Sequence, residues 1–261
     1  MTDRLIVERQ GPIGWITFSN PERHNALKVE MWQALPDALA RFEADDEVKV
    51  IVLRGAGEKA FISGADISEF EEMRSSEEAV LAYEDLAEGA MRALQTVAKP
   101  TIAMIRGYCI GGGLGVAISC DLRIAAEGST FSIPAGRLGL GYRFSGVKRL
   151  HDLVGPAFAK EIFFTARRFP AEEAMRIGLI NRMVPAGELD GVIAETCATI
   201  ADNAPLTVRS VKLMVEELGK PEGEPDHGMC ERLVRGCFAS EDYVEGRRAF
   251  MEKRKPVFRG S

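Results

Sequence analysis

Gly107-Tyr-Cys-Ile-Gly-Gly-Gly-Leu-Gly-Val-Ala-Ile-Ser-Cys-Asp-Leu122 runs from the exit of a short strand, through a glycine triplet, into an apolar helix. Three consecutive glycines ahead of a helix leave backbone N–H groups uncovered at the positive end of the helix dipole. Such a turn suits an anion, either a bound phosphate or an oxyanion that forms during reaction. The plain alternative is structural: glycines let a strand and a helix pack closely. Which reading applies depends on the chain around it.

Upstream, Leu5-Ile-Val-Glu-Arg9 and Ile13-Gly-Trp-Ile-Thr-Phe18 read as a hairpin joined at Gly11-Pro12, and Asn20-Pro21 ends the second strand. From 28 to 45 apolar residues recur at helical spacing, with Pro36 expected to kink the helix or loosen its first turn. Val48-Lys-Val-Ile-Val-Leu53 and Thr101-Ile-Ala-Met-Ile105 are nearly all apolar, as strands buried on both faces are. A loop carrying Gly55, Gly57 and Gly64 and a long helix over 77–97 lie between them. Leu122-Arg-Ile-Ala-Ala126 and Thr130-Phe-Ser-Ile133 are further strands. Beyond Ser145 the chain reads as mainly helical, over 156–164, 171–177, 188–204, 205–218 and two segments past Asp226, apart from a strand at 179–184. Alternating strands and helices predict an α/β fold with parallel pairing.

Bulk properties narrow the function. Of the 261 residues 46% are hydrophobic and 28% charged, which suits a globular protein rather than a disordered one. A net charge of −6 argues against general nucleic-acid binding. No apolar run is long enough to span a membrane, and Met1-Thr-Asp-Arg begins no signal peptide, so a cytoplasmic location without membrane attachment is expected. Cys109, Cys120, Cys197, Cys230 and Cys237 match no zinc or CxxC spacing, and His24, His151 and His227 are far apart. Free thiols and no metal are expected.

Four motifs occur in order: Asn20-Pro-Glu-Arg-His-Asn-Ala-Leu27, Ala60-Phe-Ile-Ser-Gly-Ala-Asp-Ile67, the glycine stretch with Cys120-Asp-Leu122, and Ser240-Glu-Asp-Tyr-Val-Glu-Gly246 running on to Glu252-Lys-Arg-Lys-Pro256. Together they resemble the crotonase superfamily, which contains enoyl-CoA hydratases, isomerases and acyl-CoA decarboxylases, over essentially the whole chain. The resemblance implies a spiral of ββα repeats. It divides the chain into a core over 1–200 that holds the CoA site and a C-terminal helical trimerisation region over 201–261. It also implies a homotrimer or dimer of trimers, an acyl-CoA thioester substrate and no cofactor beyond the CoA moiety. By resemblance the backbone N–H groups of Ala65 and Gly112 form an oxyanion hole for the thioester oxygen. Ser63 belongs to the same loop. Arg23, His24 and Ala26 would meet the nucleotide end of CoA. Phe250 and Lys253 would reach the adenine and 3′-phosphate, usually of a neighbouring subunit. The plain reading of the basic residues around Lys253 is a solvated helix end favoured by its dipole. Asp66 reads as the cap of a short helix towards Phe70 in preference to a chemical group.

Hydratases of this superfamily carry two glutamates, whose places here hold Gly115 and Ala135. Neither residue can move a proton. Loss of CO2 generates an enolate without a strong base, so the oxyanion hole supplies the main stabilisation. Leu138-Gly-Leu-Gly-Tyr142 resembles the Leu-Gly-Val-Pro-Tyr segment of methylmalonyl-CoA decarboxylases and sets Tyr142 on their active-site tyrosine, although Pro134 stands where they have Thr and their acid near the glycine motif is missing. Tyr142 is therefore a candidate catalytic residue, against the alternative of a packing aromatic. Arg137 and Arg143 could pair with an acidic acyl group or form structural salt bridges. Glu69 and Glu72 are the nearest spare carboxylates in sequence, and His151 reads as a surface or interface residue. The expected activity is that of an acyl-CoA lyase, decarboxylation of a malonyl-type thioester being favoured. The alternatives are an atypical enoyl-CoA hydratase or isomerase and a non-catalytic CoA-binding protein.

Overall fold

The computed structural model describes residues 2–69, 76–220 and 223–261. Its strands, in chain order, are β1 (Leu5–Gln10), β2 (Ile13–Phe18), β3 (Val50–Gly55), β4 (Ala60–Ile62), β5 (Thr101–Ile105), β6 (Tyr108–Ile110), β7 (Leu122–Ala126), β8 (Thr130–Ser132), β9 (Phe169–Pro170) and β10 (Arg182–Val184). The helices are α1 (Val29–Glu43), α2 (Glu77–Thr96), α3 (Gly112–Ser119), α4 (Ala135–Leu138), α5 (Phe144–Thr165), α6 (Ala171–Arg176), α7 (Leu189–Ala201), α8 (Pro205–Leu218), α9 (His227–Phe238) and α10 (Glu241–Glu252).

The strands divide into two sheets, ordered β1-β2-β3-β5-β7-β10 and β4-β6-β8-β9. All pairs are parallel except β1 with β2 and β8 with β9. Each successive pair, β3 with β4, β5 with β6 and β7 with β8, places one strand in each sheet before the chain enters a helix. This is the ββα spiral that the motifs imply.

The large sheet is covered on both faces, which is why β3 and β5 are apolar without alternation. On one face Ile51, Leu53, Ala103 and Ile105 pack with Met31, Leu35, Leu39 and Phe42 of α1 and Leu94 of α2. On the other, Val50, Val52, Ile102 and Met104 meet Leu189, Ile193 and Cys197 of α7. The strands β4 and β6 lie in segments read from sequence as loop. At three residues each they are too short to display a period of two, and parallel pairing alone defines them. α1 continues through Pro36, because its buried stripe of Met31, Trp32, Leu35, Ala38, Leu39 and Phe42 outweighs the lost backbone hydrogen bond. The helix expected over 156–164 is the second half of α5, which Gly155 interrupts at φ 74°. Downstream, α8 is tied to the core by Lys212, whose Nζ donates to Asp121 Oδ2 at 2.8 Å and to the Lys99 carbonyl at 3.0 Å.

One buried polar network sets the shape of the first loop. The Asn20 side-chain amide donates to the Ala26 carbonyl at 2.9 Å and to Asp66 Oδ2 at 3.0 Å. Asn25 Nδ2 donates to the carbonyls of Ala56 (2.9 Å) and Ala60 (2.8 Å), and its Oδ1 accepts from Asn20 N at 3.1 Å. These bonds hold His24 and Asn25 in the left-handed region, at φ 52° and 56°, which few residues other than glycine tolerate. Asp66 caps the 3-10 turn Ile67–Glu69, accepting from Ser68 N (3.0 Å) and Ser68 Oγ (2.8 Å), as the sequence suggested; Phe70 lies outside the described residues. Burial opposes ionisation of Asp66, but hydrogen bonds from Ser68 and Asn20 overcome it and hold the carboxyl below its ordinary value.

Two measurements test this framework. A Cβ on Gly113 would lie 2.3 Å from the Ile62 carbonyl oxygen, a backbone atom that cannot swing aside. Gly113→Ala should therefore destabilise the protein by about 1–3 kcal/mol or more in urea unfolding; an unchanged midpoint would refute the close approach of α3 to β4. Because its folded value is depressed, the Asp66 carboxylate stabilises the protein above the ordinary 3.8, and that contribution is lost as pH falls through the folded value. The stability gap between wild type and Asp66→Asn, roughly 1–3 kcal/mol at neutral pH, should close on acidification. A gap independent of pH would show that the network does not rely on the charge.

Candidate functional site

The loop after β4 and the turn after β6 meet at Leu27. Leu27 N donates to the Gly64 carbonyl at 2.7 Å, and Asp66 N donates to the Leu27 carbonyl at 2.9 Å. This is a parallel bridge of Leu27 with Ala65 in which the partners of Leu27 are the two neighbours of Ala65. The N–H and carbonyl of Ala65 itself therefore face away from Leu27. Ala65 is half-buried.

Gly112 opens α3 and is also half-buried. Its N–H belongs to the first turn, where no intrahelical acceptor exists. Gly111 before it adopts φ 54°, ψ −118°, which turns the chain sharply from β6 into the helix. A Cβ on Gly111 would come 3.8 Å from the Gly64 Cα, and one on Gly112 would come 3.1 Å from Leu27 Cδ1 and 3.6 Å from Trp32 Cζ2. Two backbones thus abut around Leu27, and each contributes an N–H with no partner in its own element. That arrangement can hold one oxygen atom that gains negative charge.

The first loop lies against the same strand end. Ser63 N donates to the His24 carbonyl at 3.2 Å, and Ser63 Oγ donates to the Arg23 carbonyl at 3.1 Å. Arg23 and His24 are exposed, whereas Ala26 is buried. The ring of His24 stands edge-on to Tyr108 at 5.7 Å, and the Arg168 guanidinium lies 5.4 Å from the same tyrosine ring. Arg23, His24, Ala26 and Ser63 are therefore gathered in one place with an aromatic and a second arginine that sequence reading passed over. Tyr108 sits in the quoted glycine stretch, while Arg168 carries no local signal.

Phe250 and Lys253 stand elsewhere, on and just after α10. Phe250 is 83% exposed, and Lys253 ends the helix in the left-handed conformation. The neighbouring basic residues are mostly paired: Arg254 and Arg248 with Glu245, and Lys255 with Asp202.

Gly115, one turn along α3 from Gly112, is buried, and a Cβ there would lie 3.1 Å from Met91 Sδ. Ala135, at the start of α4, is 6% exposed. Glu69 Oε2 accepts from Val29 N at 2.9 Å, capping the first turn of α1, and Lys28 lies 3.9 Å away; Glu72 falls outside the described residues. Tyr142 is 37% exposed, with its ring edge-on to Phe163 at 4.8 Å. Burial of its hydroxyl, with Glu84 and Glu88 nearby and Arg149 opposing them, pushes it up to about 12, so it is a neutral donor at physiological pH. Arg143 pairs with Asp85 at 2.6 Å, Arg137 is exposed, and His151 lies at the surface beside Asp152.

Behind Met91 is a cluster that no motif announced. Arg149 forks onto Glu88, with Nη1 to Oε1 at 3.1 Å and Nη2 to Oε2 at 2.7 Å, and also donates to Gln95 at 3.0 Å. Its partners lie 54 and 61 positions away on α2, so only the packing of α5 on α2 reveals them. Cys109, Cys120 and Cys197 are buried free thiols; burial pushes Cys120 and Cys197 up to about 12, which disfavours the thiolate a nucleophile needs. Among the described residues no group of three or more His, Cys, Asp or Glu is placed to hold a metal ion, and no helix is long and apolar enough to cross a membrane.

A sequence model of the enoyl-CoA hydratase/isomerase family matches residues 8–261. The short-chain-enoyl-CoA hydratase of Clostridium acetobutylicum is 36% identical over 253 residues, covering 97% of this chain and 96% of the relative. The crotonyl-CoA hydratase of Syntrophomonas wolfei is 32% identical, with 98% of each chain covered. Among solved structures, an enoyl-CoA hydratase/carnitine racemase from Magnetospirillum magneticum superposes with a TM-score of 0.93 at 36% identity, over 100% of this chain and 97% of the other. With its two-sheet spiral and abutting loops, the chain belongs to the enoyl-CoA hydratase/isomerase family of the crotonase superfamily.

Proposed function

We propose that the protein binds acyl-CoA thioesters and works through a thioester enolate, as an enoyl-CoA hydratase or isomerase that lacks both usual glutamates. The observation that carries this reading is the abutment of the Ala65 loop and the Gly112 helix start on either side of Leu27. Two N–H groups held there gain strength as the thioester oxygen acquires charge, and cost no reorganisation because Leu27 and the Asn20–Asn25–Asp66 network fix their backbones. Hydratase names among the relatives support this chemistry over the decarboxylation that the empty glutamate positions first suggested. In hydration, water oxygen bonds to the β-carbon while the α-carbon accepts a proton; in isomerisation a proton leaves one carbon and another arrives two carbons away. Gly115 and Ala135 cannot carry either proton, so it must travel by another group or by water. Decarboxylation remains the second reading, favoured by that same lack of acids.

Arg23, His24, Ala26 and Ser63 form the surface for the nucleotide end of CoA on this proposal, with no cofactor besides the CoA moiety. Exposed Phe144, Phe164, Leu218, Phe238, Phe250 and Met251 support assembly of several copies, through which Phe250 and Lys253 would reach a neighbour's first loop.

Incubation with crotonyl-CoA and, separately, methylmalonyl-CoA, with products read by mass spectrometry, tests the reaction. Conversion of crotonyl-CoA is expected; loss of CO2 from methylmalonyl-CoA with crotonyl-CoA untouched would replace the first reading by the second. Gly112→Pro removes the N–H at a helix position where proline is tolerated, and Gly112→Ala, which adds the same Cβ 3.1 Å from Leu27 Cδ1 but keeps the N–H, is its control; the rate of either reaction should fall by about 100- to 1000-fold in the folded proline variant relative to that control. Full activity in that variant would refute the oxyanion role of Gly112.

A further inference from the structure

The face of the large sheet that carries α7 holds a concavity of its own. Thr17 of β2, Arg54 of β3 and Met104 of β5 are register partners across three parallel strands, so their side chains stand in one row on one face. Each is the next-to-last residue of its strand. Met104 packs there with Val52 and Leu189, whereas Leu27 and Trp32, beside Gly112, belong to the core on the opposite face. Just past the row the strands give way to loops, and the carboxyl ends of parallel strands are where such sheets leave room for ligands. The room here is a cavity of about 190 Å³ lined by Thr17, Arg54, Arg106 and Asp190, with the Gly55–Ala56–Gly57 backbone as one wall.

The charges around this cavity do not balance. Arg106 Nη2 donates to Asp190 Oδ2 at 2.6 Å and to the Ala186 carbonyl at 3.4 Å, so Asp190 is already answered. Arg54 has no carboxylate partner among the described residues. Its Nε donates to Thr17 Oγ1 at 3.0 Å and its guanidinium lies 4.3 Å over the Trp15 ring, which leaves both Nη groups without a protein acceptor among those residues. Thr17 is 6% exposed; its oxygen accepts from Arg54, and its own proton has no acceptor among the described residues. A buried hydroxyl donor and a half-buried fork, fixed on two sides, thus line one cavity with nothing to receive their hydrogen bonds. The wall opposite them is fixed as well: Ala56 N donates to the Phe18 carbonyl at 2.8 Å, and the Ala56 carbonyl accepts from Asn25 Nδ2 at 2.9 Å.

We infer that this cavity is a binding site for a phosphoryl group, held by Arg54 and Thr17 with Arg106 at its side, on the face of the large sheet opposite the Leu27 site. A guanidinium fork offers two parallel N–H groups to a pair of oxygens. The Thr17 hydroxyl supplies a donor from a different direction, which suits the spread oxygens of a phosphate better than the two coplanar oxygens of a carboxylate. Stacking on Trp15 and the bond to Thr17 hold the fork in advance, so binding costs little side-chain freedom. The inference is independent of the reaction the protein catalyses.

Titration of the protein with inorganic phosphate, glycerol 3-phosphate and acetate, at constant ionic strength in a phosphate-free buffer, tests the site by calorimetry and tryptophan fluorescence. Saturable binding of phosphate is expected, with a fluorescence change because Trp15 lies under Arg54, and acetate should bind about tenfold or more weakly. Glycerol 3-phosphate binding more tightly than inorganic phosphate identifies a phosphorylated metabolite as the ligand; binding no tighter identifies the free ion. Arg54→Gln should weaken phosphate about tenfold or more, and Trp15→Phe should remove the fluorescence change while keeping the heat of binding. Arg23→Gln, on the first loop, should leave both signals as they are. Circular dichroism on heating checks that the variants are folded. Absence of saturable phosphate binding, acetate binding as tightly as phosphate, or an affinity unchanged by Arg54→Gln but lost in Arg23→Gln would each overturn the site.

Discussion

The pairing of Leu27 with the Ala65 loop is the contact on which the site depends. Two hydrogen bonds, to the residues on either side of Ala65, turn that residue's own N–H outward. The same leucine side chain is the nearest neighbour of the space a Cβ on Gly112 would fill. One residue thus sets the position of both candidate donors. It can do so because Asn20 and Asn25 bond simultaneously to the first loop, to the Ala56–Ala60 segment and to Asp66. Buried amides satisfied on several sides are costly to break, and they hold two non-glycine residues at positive φ without help from a turn glycine.

The two-sheet spiral is what delivers these loops to one point. Each turn contributes a long strand to the large sheet and a short strand to the small one, and the loops that follow β4 and β6 emerge side by side because β4 and β6 are paired. Gly113 allows α3 to begin against the Ile62 carbonyl, which brings the helix's N-terminal end to the loop after β4. A first turn of helix carries N–H groups that need a partner. Here Gly112, at the head of that turn, is left half-buried.

Beyond Gly112 the chemistry departs from the two-glutamate arrangement. Gly115 is backed by Met91, and behind it Arg149 and Glu88 form a half-buried pair. A carboxylate clamped in two-point contact with an arginine is held ionised and below its ordinary value despite burial, which makes Glu88 a poor base. Glu69 is committed to the N-terminus of α1. Glu69, which sequence distance suggested, is thus already engaged and no simple replacement for the missing pair.

Much was legible in the residues themselves. All-apolar runs at 48–53 and 101–105 announced strands buried on both faces, since the absence of alternation follows directly from cover on both sides. The glycine triplet announced a helix start with exposed N–H groups, because no other residue permits the turn at Gly111. Set against the superfamily resemblance, Gly115 and Ala135 announced the missing acids. The short strands β4 and β6 could not be read, because three residues show no periodicity and only their partners define them. Nor could the Arg149 cluster, whose members are joined across more than fifty positions by the packing of α5 on α2. The sequence by itself determined which backbone could turn, which faces were apolar and which acids were absent, since these are properties of residue type and local spacing. Tertiary structure alone decided which loops meet and which carboxylates are already engaged, since these depend on distances between segments that no local pattern records.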